Sequence, residues 1–73
     1  MDNRPIGLFD SGIGGISILD KLKELLQNEN FIFLADNKNC PYGYRSKKEI
    51  ISLSTKNCEK LIELNCKAIV VAC

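Results

Sequence analysis

A chain of 73 residues, 45% hydrophobic and 26% charged, has the makeup of one small soluble domain at most, marginally stable by itself. Ten Lys and Arg against nine Asp and Glu leave a net charge of +1, which gives no electrostatic basis for binding nucleic acid or an anionic membrane. No apolar run approaches the roughly 20 residues that a membrane span needs.

In chain order, the first candidate strand is the apolar run 6–9. It leads into Asp10-Ser11-Gly12-Ile13-Gly14-Gly15 and a predicted helix over about 14–27, whose Leu19, Leu22, Leu25 and Leu26 make an apolar stripe at helical spacing. Asn28, Glu29 and Asn30 break that helix before a second strand at 31–35. A shaped loop follows, because Pro41 fixes its own φ and biases Cys40 toward an extended form. Ser46 with Glu49 three residues on fits a capping box and predicts the start of a second helix. Ile50, Ile51, Cys58, Leu61 and Ile62 fall mostly along one face of it, which makes Cys58 a buried small hydrophobe. Arg45, Lys47 and Lys48 at its start are expected to be a solvated surface. Cys66 falls in the turn after the helix, in a structural or neutral role and not a chemical one, and 68–72 is the third strand.

All three strands are rich in β-branched or aromatic residues and show little alternation, as suits a parallel sheet buried on both faces. The pattern β-α-β-α-β implies right-handed crossovers and a three-stranded parallel sheet, with ligands taken at the carboxyl ends of the strands. No helix follows the last strand, so the chain is expected to be a cut domain. The opening residues Met1-Asp2-Asn3-Arg4-Pro5 lack the features of a signal peptide, and the expected location is the cytoplasm. There Cys40, Cys58, Cys66 and Cys73 are expected as free thiols. With no histidine and no Cys-x-x-Cys pair, no metal site is expected.

Each strand end carries a chemical group. The glycine loop after the first strand is a candidate cradle for a carboxylate or phosphate, with backbone N–H groups and the Ser11 hydroxyl as donors. A nucleotide- or phosphate-binding βαβ module using loop 12–15 is the alternative, with Asp36 in the place of a ribose-binding acid. Against it, Ser17 stands where a third glycine is needed, and the Asp10 carboxylate would repel a pyrophosphate. After the second strand, Tyr42 offers a hydroxyl and Gly43 a backbone N–H to an anionic substrate, although a plain surface turn fits the spacing equally. The third strand ends on Cys73, whose thiol, with a reference pKa of about 8.5, is readily tuned into a base or an acid. A packed structural cysteine is the competing role.

Taken together, Ile6-Gly7-Leu8-Phe9-Asp10-Ser11-Gly12-Ile13-Gly14-Gly15, Pro41-Tyr42-Gly43 and Val70-Val71-Ala72-Cys73 resemble the glutamate racemase family in order and separation, over the whole chain. The resemblance implies a three-layer doubly wound α/β protein of two similar domains with glutamate bound between them. Residues 1–73 would be part of the N-terminal domain, ending at the first catalytic cysteine and lacking the second domain. It implies cofactor-independent interconversion of L- and D-glutamate for bacterial peptidoglycan. Cys73 would be one of two catalytic cysteines, and Asp10, Ser11, Tyr42 and Gly43 would bind substrate, Asp10 also governing the thiol's protonation. No cofactor, metal, nucleic acid or membrane is implied, and a homodimer stays open. The Asn-Thr pair expected after Cys73 is absent, and the fragment alone is expected to be inactive.

Overall fold

The structure, a computed structural model, describes residues 2–10, 14–36, 38–39 and 42–72. Three strands, β1 (Ile6–Asp10), β2 (Phe31–Ala35) and β3 (Ala68–Val71), alternate with two helices, α1 (Gly15–Leu25) and α2 (Lys47–Glu63). All strand pairs are parallel and the order is β2-β1-β3, so β1 is central. Its residues are all buried, while β2 is half-buried and the two ends of β3 are exposed.

This order sends the chain first one way and then back across β1. Crossovers of one hand therefore place α1 and α2 on opposite faces. The side chains obey that division. Asp10 and Phe33 meet α1 at Gly15, whereas Gly7 and Phe9 face α2. On the α2 face Phe9, Tyr42 and Leu61 form the core, with Ile32, Leu34, Ile50, Leu53, Cys66 and Ile69 packed around them.

Both helices differ in detail from the sequence pattern. α1 ends at Leu25, and Leu26 turns out of the helix at φ −122° and ψ 65°. Leu19 and Leu22 are half-buried, but Leu25 and Leu26, at the frayed end, are exposed. The start of α2 is the predicted capping box: the Ser46 Oγ accepts from the Glu49 N–H at 3.2 Å, and the Ser46 N–H donates to Glu49 Oε1 at 3.3 Å. Its inward stripe is Ile50, Leu53, Asn57 and Leu61, however, and Ile51 and Ile62 face solvent. Cys58 is only half-buried, because its neighbour Asn57 takes the inward position.

α2 closes with a Schellman pattern. The Cys66 N–H donates to the Leu61 carbonyl at 3.2 Å and the Asn65 N–H to that of Ile62 at 2.9 Å, with Asn65 at φ 65°. This turn sends Cys66 into the core beside Leu61, so close to β1 that a Cβ on Gly7 would lie 3.0 Å from its sulfur. Burial pushes the Cys66 thiol up from its ordinary value, which suits a packed, unreactive cysteine. At the other end of the sheet Lys67 ties three segments together, donating to Glu29 Oε1 and to the Asp2 carbonyl, each at 2.9 Å.

Candidate active site

The parallel register brings the carboxyl ends of the strands side by side. Asp10 lies opposite Ala35, the Asp36 N–H donates to the Asp10 carbonyl at 3.0 Å, and the Ala72 N–H donates to the Phe9 carbonyl at 2.8 Å. Asp10, Asp36 and Ala72 thus line one end of the sheet. Ser11 and Cys73, two of the residues predicted for the site, lie outside the described residues, as do Cys40 and Pro41.

Asp10 is buried, and its Oδ2 accepts the Gly15 N–H at 2.7 Å. Gly15 is the first residue of α1, so the carboxylate sits at the positive end of that helix. The fit demands a glycine: a Cβ at position 15 would stand 2.7 Å from the Asp10 Cβ and 3.0 Å from Phe33 Cε1. One N–H that a phosphate would need is therefore already satisfied from within the chain.

Tyr42 and Gly43 belong to a single 3₁₀ turn, Tyr42–Tyr44. The Tyr42 ring is buried against Phe9, with centroids 6.1 Å apart, and its hydroxyl donates to Asp36 Oδ2 at 2.5 Å. Asn57, buried on α2, places its Nδ2 3.1 Å from the same oxygen, 3.2 Å from the Tyr42 hydroxyl and 2.8 Å from the Leu53 carbonyl. Asn39 donates to Asp36 Oδ1 at 3.0 Å, and Arg45 fastens Asn39 through its carbonyl at 2.9 Å. Burial pushes the Asp36 carboxyl up, but the bonds from Tyr42, Asn39 and Asn57 outweigh it and hold the pKa below the ordinary 3.8. A carboxylate so fully engaged is a poor seat for a ribose. Gly43 is the opposite case: it is exposed, and apart from its chain neighbours no described atom lies within 4 Å of where a Cβ would be. The described residues around it give no steric need for glycine.

Sequence pattern alone missed Asn57 and Asn39. The signal for Asn57 was its place four residues after Leu53 and four before Leu61, a polar residue inside an apolar stripe. A cavity of about 430 Å³ adjoins this network, walled in part by Asp36, Leu53 and Asn57 and flanked by the exposed Lys38, Lys56 and Lys60. Among the described residues no three His, Cys, Asp or Glu side chains gather as metal ligands would, and no helix is long and apolar enough to cross a membrane.

No family model matches the chain. It is 52% identical over 73 residues to the glutamate racemase of Lactobacillus acidophilus and 51% identical over 71 residues to that of Clostridium botulinum. These matches take in 100% and 97% of the chain. The crystal structure of glutamate racemase from Francisella tularensis in complex with D-glutamate superposes on it with a TM-score of 0.95 at 44% identity, covering the whole chain. The chain matches the N-terminal part of glutamate racemases. It spans little more than a quarter of their length, 27% and 28% of the two curated relatives and 28% of the solved chain. The β-α-β-α-β fold, with its three-stranded parallel sheet, matches an N-terminal fragment of a glutamate racemase, as the motifs led one to expect.

Proposed function

We propose that this chain supplies the N-terminal share of an active site that interconverts L- and D-glutamate without a cofactor. The observation that carries the proposal is the likeness over all of the chain to a racemase solved with D-glutamate. In this account Cys73 works on one face of the substrate α-carbon, and a second thiol, contributed by residues beyond these 73, works on the other. The thiolate takes the α-proton and becomes a thiol, while the opposite thiol gives its proton to the carbanion and becomes a thiolate. The centre is inverted, no electrons are exchanged, and the reverse reaction uses the same groups with their roles swapped.

An α-proton beside a carboxylate is a very weak acid, so the developing charge needs fixed donors. Ser11 and the backbone of the 42–43 turn supply them in this proposal. Asp10, locked to the Gly15 N–H, keeps a carboxylate at the end of β1 that helps set the protonation of Cys73. The product would feed peptidoglycan assembly, which places the enzyme in the bacterial cytoplasm.

Calorimetric titration of the full-length protein separates this function from nucleotide binding. Glutamate should bind, and nicotinamide and flavin nucleotides should give no heat. Tight nucleotide binding without glutamate binding contradicts the proposal. The satisfied Gly15 N–H and the engaged Asp36 carboxylate are the physical reasons to expect the first result.

A further inference from the structure

We infer that Asp36 and Asn57 are positioning residues, which hold the 42–43 turn by occupying the Tyr42 hydroxyl, so that the turn meets substrate through its backbone and not through the phenol. This rests on the proposal that Tyr42 and Gly43 bind glutamate. Neither Asp36 nor Asn57 is a substrate ligand in it.

Three observations support the assignment. The Tyr42 hydroxyl donates its one proton to Asp36 Oδ2 at 2.5 Å, and it accepts from Asn57 Nδ2 at 3.2 Å. The proton an anionic substrate would need is thus given to a carboxylate that belongs to the chain. Second, the ring is buried against Phe9, so the side chain is an anchor driven into the core while the adjacent Gly43 stays exposed. Third, the anchor is held from two elements: Asp36 follows β2, and Asn57 comes from the middle of α2, fixed in turn by the Leu53 carbonyl. Sheet and helix together therefore set the position of the turn. Charge-assisted hydrogen bonds in a half-buried site are suited to that task, because they are directional and costly to leave unmade.

The test uses the full-length enzyme and steady-state racemisation of glutamate, with circular dichroism confirming that each variant is folded at the assay temperature. Asp36→Ala and Asn57→Leu should raise KM for glutamate on the order of tenfold, less than the roughly 100-fold that a 1 Å misplacement can cost, with a smaller change in kcat. Asp36→Asn, which keeps an acceptor for the Tyr42 hydroxyl, should give an intermediate KM. Tyr42→Phe should raise KM similarly, and combining it with Asn57→Leu should add little, because both break one network. Folded variants of lowered melting temperature but unchanged KM would overturn the inference and leave a purely structural network. Effects of Tyr42→Phe and Asn57→Leu that multiply would also overturn it, since the hydroxyl would then act on substrate independently. A wild-type enzyme that does not racemise glutamate would refute the proposed function instead. The positioning role presumes that function and would fall with it, and coupling between Tyr42 and Asn57 in unfolding would then describe a structural network only.

Discussion

The chemistry of this chain turns on how single carboxylates are used. Asp10 ends β1 and Asp36 follows β2, and each is taken up by donors within the chain: Asp10 by the Gly15 N–H, Asp36 by Tyr42, Asn39 and Asn57. Because the folded pKa of Asp36 lies below its unfolded value of about 3.8, its contribution to stability is complete above that pH. The contribution is lost as pH falls through the lower, folded pKa. Urea unfolding of the full-length protein between pH 3 and 7 should therefore show Asp36→Asn less stable than wild type at neutral pH, with the gap narrowing toward pH 3. A gap that stays constant with pH would mean that the carboxylate charge does not matter. The sequence motif singled out Tyr42 and left open a hydroxyl donated to substrate. The partners that engage that hydroxyl come from 6 and 15 residues away along the chain, a long-range pairing that no local spacing encodes.

At the scale of elements, the strands and the capping box were legible because both are local: β-branched and aromatic runs for the strands, Ser46 and Glu49 for the start of α2. Burial within the helices was less so. Ile51 and Ile62 were expected inside and are exposed, since the stripe through Ile50, Leu53, Asn57 and Leu61 lets a buried hydrogen-bonding need override apolar periodicity. Leu25 was misplaced because α1 stops where Leu26 leaves helical geometry. The close approach of α1 to the sheet at Gly15 gives the clearest mutational test. Gly15→Ala should destabilise the protein by about 1–3 kcal/mol through overpacking, because its Cβ would stand 2.7 Å from that of Asp10. Ser46→Ala, which removes only the cap, should cost about 1 kcal/mol. Both values are read from urea midpoints at constant slope, and a neutral Gly15→Ala would contradict the tight Asp10–α1 contact.

For the whole molecule, the order β2-β1-β3 sets the carboxyl ends of β1, β2 and β3 side by side, which brings Asp10, Asp36 and Ala72 together although they lie far apart in sequence. The fold was visible in the spacing of the motifs, and the likeness to glutamate racemases at 52%, 51% and 44% identity agrees with the resemblance they carry. In the proposed mechanism, a two-sided proton transfer calls for a group facing Cys73 across the substrate. The most direct measurement is incubation of the full-length protein with L-glutamate in D₂O, following the α-proton by NMR and the optical rotation together. Wild type should lose the α-proton signal as rotation decays to zero. Cys73→Ala should do neither at a measurable rate, while Cys58→Ala and Cys66→Ala, if folded, should keep both. Sustained inversion by Cys73→Ala would show that the Cys73 thiol is not the group that moves the proton.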